Sequence, residues 1–409
     1  MFLIVATQVA FALYHSMVSA SPLSKTAQPA EKDTHDGRGY PSALSGVPST
    51  RYSASMSNRP FVGARLEEFV FRRVNGVLRR FGWVEAVVPF TGYGTQSQVR
   101  VLARVVLRPA AARTQLGRAA EEFLMQRGWR NFLAAPIPRA EVTVTLGQSG
   151  IKLRTDRNGY VDVRVKSEAL DAGWSHVTIV TPTSLPTDAP VMVVDDDQTF
   201  GLVSDIDDTV ISTFLPRLFI AAWNSLVVTE QARQPVPGMA TMLTSLLHDH
   251  PGAPIIYVST GSWSTFSFLN RFLDRHGFPM GPMLLTDWGP TNTGWVRSAT
   301  DHKRQALREL ARDFPDIRWV LIGDDGQHDP MLYAEFAELQ PDHVRAIAIR
   351  ELTMAEQVLA HGTTTVLVDN DDVQWTPESA PEVRGPDGWA LLPQVQQILT
   401  DCEFPVASR

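Results

Sequence analysis

Residues 200–209, Phe-Gly-Leu-Val-Ser-Asp-Ile-Asp-Asp-Thr, carry the pattern that decides the fold. An apolar run leads directly into a loop containing Asp205 and Asp207. Two carboxylates this close together can converge on one cation such as Mg²⁺, which offsets their mutual repulsion. A calcium-binding loop does not fit, because its sixth position would be Val210 rather than Gly. The stretch therefore predicts a buried strand that ends in a metal-binding loop, with a plain Asp-rich turn as the alternative.

Apolar runs of similar length recur downstream and are separated by helical stretches. This alternation predicts an α/β fold with a doubly wound, mostly parallel, Rossmann-like sheet over residues 200–409. Ligands of such sheets bind beyond the carboxyl ends of the strands, which is where polar residues cluster in this chain. The predicted strands contain Leu202–Val203, Ile255–Val258, Trp319–Ile322, Ala346–Ile349 and Val366–Val368.

A second polar cluster, Ser259-Thr260-Gly261, follows the predicted strand at Ile255–Val258. A hydroxyl at a strand end, beside a glycine that frees backbone amides, can donate hydrogen bonds to a phosphoryl oxygen. Capping of the next helix is the alternative role for these hydroxyls. The sequence leaves open whether Ser259 or Thr260 would contact the phosphoryl group.

Lys303 lies near the start of a predicted helix, with Asp301 as a candidate N-cap. A cation there opposes the helix dipole, whose N-terminal end favours anions. The position is therefore explained if an anion lies between the lysine and the helix end. A solvated surface lysine is the alternative.

A fourth cluster, Gly-Asp-Asp-Gly-Gln-His-Asp at residues 323–329, follows the predicted strand at Trp319–Ile322. It returns carboxylates to the same edge of the sheet. The resulting oxygen-rich site suits Mg²⁺ better than a soft metal. Zinc is disfavoured because His328 has neither a Cys partner nor a second His at helical spacing.

These four clusters occur in the order of the four motifs of the haloacid dehalogenase superfamily, and the resemblance covers residues 201–351. Within it, SDIDDTV, YVST, LLTDWGP, DHKR and GDDGQHD resemble the bacterial branch of the actin-patch phosphatidate phosphatase family. The segment before residue 200 is also similar to the N-terminal region of that family. One departure is the Gly-Ser-Trp after YVST, where fungal relatives are expected to have Ser-Pro.

The resemblance implies a Mg²⁺-dependent phosphatase that acts through an aspartyl-phosphate. Asp205 would be the nucleophile, and Asp207 would be the general acid and then the base. Ser259 and Lys303 would complete the catalytic set by orienting and neutralising the phosphoryl group. The implied substrate-binding residues are Thr209, Thr260 and Gly261. Mg²⁺ would be bound by Asp205, by the backbone carbonyl of Asp207 and by Asp324. Asp329 would adjust the charge of the metal site, and Asp325 would be an alternative ligand.

The spacing of the clusters leaves no room for a large cap domain, and only a small lid at residues 214–228 fits. A site with so little cover admits a headgroup that protrudes from a bilayer, whereas a small metabolite usually needs enclosure. A phospholipid substrate, phosphatidate converted to diacylglycerol, is therefore expected. The alternatives are a phosphatase for a soluble or protein phosphomonoester, and a lipid-binding module without turnover.

Upstream of residue 200 the chain divides into a leader and a second domain. Residues 1–59 are predicted to be a disordered leader, because residues 21–59 lack any sustained period. The apolar start followed by Val18-Ser19-Ala20 is compatible with a secretory signal, and a later true start at Met56 is the alternative. Residues 60–199 contain a basic amphipathic helix at 65–81 and then short alternating strands typical of an antiparallel sandwich. For that helix, packing on the neighbouring domain is favoured over contact with a membrane surface.

Composition excludes several classes of protein. A formal net charge of -7 provides no general attraction for nucleic acid. With Cys402 as the single cysteine, the chain has neither an intrachain disulfide nor a cysteine metal cluster. No downstream run is long and apolar enough to span a bilayer. We expect a cytoplasmic or peripheral membrane protein, or a secreted one if the leader is a signal; no protein partner is indicated.

Overall fold

The computed structural model of the chain describes residues 73–110, 135–167, 170–212, 233–286, 299–326, 328–354, 356–357 and 380–403. All of them belong to one compact unit, residues 60–409. The predicted lid at residues 214–228 and the predicted strand at Val366–Val368 lie outside the described residues. No helix among the described segments has the length and apolar content that crossing a membrane requires.

The N-terminal half consists of short strands in which buried and exposed residues alternate, as the two-residue period of a strand dictates. Hydrogen bonds join nine described strands into one sheet in the order β1-β3-β2-β9-β8-β5-β6, with β4 and β7 both paired to β3. Neighbours are antiparallel except β2 and β9, which are parallel. The predicted antiparallel strands are present, but their ladders form one continuous sheet rather than two separate ones. The strands are β1 (Trp83–Pro89), β2 (Gly92–Thr95), β3 (Gln98–Pro109), β4 (Ala135–Pro136), β5 (Glu141–Leu146), β6 (Ser149–Arg154), β7 (Tyr160–Lys166), β8 (Gly173–Val180) and β9 (Thr187–Val194).

The basic helix before this sheet, α1, is described at residues 73–80. It contacts the N-terminal core through Leu78 and through buried Asn75, whose amide donates to the Pro136 carbonyl at 2.8 Å. Val77 and Phe81, in contrast, are 44% and 70% exposed. The predicted apolar stripe therefore packs on the neighbouring sheet only in part.

The C-terminal half is built on a second sheet, whose six described strands are all parallel, in the order β14-β13-β10-β15-β16-β17. This arrangement confirms the predicted α/β class and the parallel sheet. A two-stranded ladder of β11 and β12 lies outside it. The strands are β10 (Phe200–Ser204), β11 (Ile211–Ser212), β12 (Gln234–Pro235), β13 (Ile255–Ser262), β14 (Met283–Thr286), β15 (Arg318–Asp324), β16 (Val344–Arg350) and β17 (Glu382–Gly385). The helices are α2 (Met239–Asp249), α3 (Phe266–Arg275), α4 (Ala299–Asp313), α5 (Asp329–Leu339) and α6 (Gly388–Glu403).

Helices cover both faces of the parallel sheet, because its central strands are apolar on both sides. In β10, Leu202 belongs to the core shared with α2, α3 and α6, whereas Val203 belongs to the core shared with α4 and α5. Burial of each such aliphatic side chain contributes about 1.5–3 kcal/mol. β10 is thereby fixed in the middle of the sheet, and the loop that follows it emerges at the centre of the carboxyl edge.

Charged groups join the N-terminal sheet to α4. Arg100 of β3 lies 2.6 Å from the Glu309 carboxylate and also donates to Asp162 and to the Tyr93 hydroxyl. Burial, opposed by nearby Arg100, raises the pKa of Tyr93 to about 12, so this hydroxyl stays protonated. The N-terminal sheet thus contacts the helix that carries Lys303.

Candidate active site

Asp205, the first residue of the loop after β10, is 1% exposed. Its backbone N–H donates to the Ile322 carbonyl of β15 at 2.9 Å, so the central strand pair fixes its position. The next residues form a tight turn in which the N–H groups of Val210 and Ile211 both donate to the Ile206 carbonyl. This turn brings Asp207 back to the same edge of the sheet.

Lys303, in the first turns of α4, is paired with two carboxylates. Its Nζ lies 2.8 Å from Asp205 Oδ1 and 2.5 Å from Asp329 Oδ1, and the lysine is 3% exposed. Burial alone would lower the pKa of Lys303, but Asp205, Asp329 and Asp324 raise it above its usual range. The lysine is therefore charged, and its partners are the carboxylates of Asp205 and Asp329.

Three buried carboxylates meet at this point. Oxygens of Asp205, Asp324 and Asp329 lie within 4.8 Å of one another. Burial, and the charge of the neighbouring carboxylates, raise the pKa of Asp205 and of Asp324 well above the usual value despite Lys303. In each of the three residues Oδ2 is buried and has no hydrogen-bond partner among the described residues.

Three unsatisfied carboxylate oxygens beside a single lysine fit a divalent cation. Such buried polar atoms are costly unless they are paired. The donors are all hard oxygens, which is the ligand chemistry of Mg²⁺ and similar ions. Asp324 is preorganised for this, since its Oδ1 accepts the Gly326 N–H at 2.8 Å and its Oδ2 remains available.

Asp207 and Ser259 are joined by a hydrogen bond. The Ser259 hydroxyl donates to Asp207 Oδ2 at 3.0 Å and accepts the Gly261 N–H at 2.9 Å. Thr260 contributes its carbonyl, which accepts a hydrogen bond from the Thr286 hydroxyl at 2.8 Å. The Ser259 hydroxyl therefore links the Asp207 carboxylate to the backbone of Gly261.

Two further residues of the predicted site have these surroundings. Asp325 is not among the described carboxylates that converge with Asp205, Asp324 and Asp329. Its Oδ1 accepts the Leu352 N–H at 2.8 Å. Thr209 is fully buried, and its Oγ1 has no hydrogen-bond partner among the described residues.

The structure also brings charged residues to the site that sequence patterns did not indicate. Arg350 ends the apolar strand β16 and donates to the Asp208 carbonyl at 2.7 Å, and it is paired with Glu356. Arg233 lies over the Phe268 ring; burial lowers its pKa to about 10 in spite of the opposing charge of Asp207. The available sequence signal for Arg350 was a charged residue directly after the apolar run at residues 346–349.

Comparisons with known proteins match the part of the chain that forms this site. Residues 200–351 match the family model of the catalytic domain of phosphatidate phosphatase APP1. Phosphatidate phosphatase APP1 of Saccharomyces cerevisiae is 27% identical over 248 residues, which are 56% of this chain and 41% of the yeast protein. An uncharacterized protein of Schizosaccharomyces pombe is 28% identical over 156 residues, 37% of this chain and 25% of that protein.

The chain spans about two fifths of the length of the yeast enzyme that it matches. At the level of the enzyme class, these similarities support a phosphoric monoester hydrolase. Among solved structures, a carbohydrate acetylesterase from Xanthomonas citri aligns with a TM-score of 0.25 and 11% identity, covering 69% of this chain and 77% of that one. That likeness carries no argument about fold or function.

Replacement of Lys303 by Met is expected to lower the free energy of unfolding of the metal-free protein by about 3–5 kcal/mol. The change leaves the buried carboxylates of Asp205 and Asp329 without their common cation. Urea denaturation measures the loss, and Lys152→Met, at an exposed position of β6, is the matched control. Equal stability of the two variants would contradict the ion-pair geometry.

Proposed function

We propose that the chain is a Mg²⁺-dependent phosphatidate phosphatase of the haloacid dehalogenase type, with catalysis assigned to residues 200–409. The observation that carries the proposal is the buried carboxylate of Asp205, held 2.8 Å from Lys303 and grouped with Asp324 and Asp329. A nucleophile, a fixed positive charge and a hard-oxygen cation site in one place are what phosphoryl transfer requires.

In the first step, an oxygen of Asp205 attacks the phosphorus atom of the lipid. A P–O bond forms to Asp205 as the bond from phosphorus to the glycerol oxygen breaks, giving an aspartyl-phosphate. Asp207 donates its proton to the departing oxygen, so that diacylglycerol leaves as the alcohol. Lys303 and the Ser259 hydroxyl neutralise and orient the phosphoryl oxygens.

In the second step, water attacks the same phosphorus atom. Asp207, now a carboxylate, accepts the proton of that water. The P–O bond to Asp205 breaks, inorganic phosphate leaves, and Asp205 returns to its starting form. The hydrogen bond from Ser259 to Asp207 supports this assignment, since it places the acid-base group beside the hydroxyl that orients the phosphoryl group.

The cation would be held by the carboxylates of Asp205 and Asp324 and by the backbone carbonyl of Asp207, with Asp329 adjusting the charge of the group. When bound, it would supply charge neutralisation for the phosphoryl oxygens. The unsatisfied Oδ2 atoms of Asp205, Asp324 and Asp329 support this placement.

The lipid substrate is proposed from the similarity to the yeast enzyme, whose name gives phosphatidate as its substrate. A phospholipid substrate would bring the protein to a membrane surface as a peripheral enzyme. The residues that bind the substrate would be Thr260 and Gly261, beside Ser259, together with Thr209.

The proposal is tested by phosphate release from phosphatidate in mixed vesicles beside soluble phosphomonoesters and a phosphopeptide, all with Mg²⁺. We expect kcat/KM to be highest for phosphatidate. A preference for a soluble or peptide substrate would reassign the substrate class. Vesicle binding without phosphate release from any substrate would favour a lipid-binding module. Asp205→Asn supplies the background for every substrate.

A further inference from the structure

Asp208, directly after Asp207, has a backbone conformation that L-amino acids rarely adopt. Its φ is 61°, and Arg139 is the other described non-glycine residue with a positive φ. The Asp208 N–H donates to the Ile211 carbonyl at 2.8 Å, which closes the turn. Because the left-handed residue reverses the chain immediately after Asp207, the direction of Asp207 depends on its conformation.

Arg350 fixes the far side of this turn. It is 5% exposed, and its Nη1 donates to the Asp208 carbonyl at 2.7 Å. Its Nε donates to the Pro386 carbonyl at 3.1 Å, and its Nη2 donates to Glu356 Oε1 at 2.6 Å. A planar guanidinium bound at three points has little freedom to move. The peptide plane that follows Asp208 is therefore held against a rigid group.

Glu356, the ion-pair partner of Arg350, is itself held by hydrogen bonds. Its Oε2 accepts both the N–H and the hydroxyl of Thr353 at 2.9 Å, and its Oε1 accepts the Ser212 hydroxyl of β11 at 3.4 Å. Burial alone would raise the pKa of Glu356. Hydrogen bonds from Arg350 and Thr353 outweigh this effect, and the pKa lies below its usual value. The carboxylate is thus charged at neutral pH and joins the end of β16 to β11.

We infer that Arg350, supported by Glu356, is a positioning residue that holds Asp208 in its left-handed conformation and thereby aligns Asp207 for proton transfer. The inference rests on the proposed function, because the alignment matters through the acid-base role of Asp207. Arg350 reaches the loop through a backbone carbonyl and contacts no reacting atom.

The kinetic test compares Arg350→Met with Arg318→Met, which removes an exposed arginine at the start of β15. Loss of an outer partner of a catalytic group typically costs 10–100-fold. We therefore expect kcat to fall about 10- to 100-fold in Arg350→Met, with KM unchanged because Lys303 and Ser259 are intact. Glu356→Gln is expected to show a smaller loss of the same kind.

A second substitution separates positioning from general damage. In the Arg350→Met background, Asp208→Gly and Asp208→Ala remove the same carboxylate, but only glycine adopts a positive φ without steric cost. We expect Asp208→Gly to restore part of kcat and Asp208→Ala to lower it further. Equal kcat values for the two double variants, or wild-type kcat in folded Arg350→Met, would overturn the inference.

Amide hydrogen exchange tests the positioning role of Arg350 independently of catalytic activity, and therefore independently of the proposed function. In Arg350→Met the amides of residues 208–211 are expected to exchange faster than in the wild type and in Arg318→Met, whether or not the protein releases phosphate. Unchanged exchange would overturn the positioning role. Absence of phosphate release from the wild-type protein would instead overturn the proposed function and leave the exchange result standing.

Discussion

Asp205→Asn is expected to lower kcat for phosphate release by on the order of 10⁴- to 10⁶-fold, as removal of a covalent nucleophile does in other hydrolases. An amide oxygen at this position cannot form the acyl phosphate. The loss should appear with phosphatidate and with soluble substrates alike, because it affects the reacting bond rather than substrate recognition. Steady-state assays at saturating substrate measure it.

Asp207→Asn is the matched control, since it makes the same chemical change two residues away. This variant should also be slow, but it keeps the attacking carboxylate. With a substrate that has a good leaving group, its first step should proceed and its second should stall. Equal behaviour of the two variants in single-turnover experiments would contradict the division of roles.

The folded state of both variants needs checking by circular dichroism and urea denaturation. Asp205 is one of three clustered carboxylates, and burial together with its neighbours raises its pKa. Its neutralisation relieves repulsion, so the metal-free Asp205→Asn protein is expected to be folded. Near-normal turnover of folded Asp205→Asn would rule out aspartyl-phosphate chemistry in this chain.

Removal of the metal ion by chelation is the second change expected to have a large effect on phosphate release. EDTA is expected to reduce phosphate release to the background of Asp205→Asn, and added Mg²⁺ should restore it, because the available ligands are hard oxygens. Zinc should restore it poorly. Full activity after exhaustive chelation would exclude the metal site.

Asp324 and Asp325 provide a matched pair for the cation site. Asp324→Asn is expected to raise the Mg²⁺ concentration for half-maximal activity by about 10-fold or more. Asp325→Asn should leave it unchanged, because that side chain accepts the Leu352 N–H instead. A larger effect at Asp325 than at Asp324 would contradict the geometry of the site.

The sequence predicted the parallel sheet and its polar edge because both depend on local pattern. Buried strands read as continuous apolar runs, and the residues after them meet at one edge whatever the details of packing. Asp205 and Asp329, which follow two of these strands along the chain, could therefore be expected near one another. Lys303 lies on a helix instead, and the structure places its Nζ 2.8 Å from Asp205 and 2.5 Å from Asp329.

Other features depend on pairings that no local pattern records. β17 has the sequence Glu-Val-Arg-Gly, which is too polar and short to indicate a strand, and it is ordered by pairing with β16. Asp324 and Asp325 are adjacent and chemically identical, yet Asp324 converges with Asp205 and Asp329, whereas Asp325 accepts the Leu352 N–H. Arg350 acts on Asp208 across 142 residues of sequence.

The central claim is that Asp205 carries the phosphoryl group, and mass spectrometry of the trapped protein tests it most directly. Asp207→Asn is mixed with Mg²⁺ and an aryl phosphate, quenched in acid and digested. We expect the mass of one phosphoryl group on the peptide that contains Asp205, and none when Asp205 is also replaced by Asn. A phosphoryl group on another residue, or turnover in the doubly substituted protein, would contradict the account.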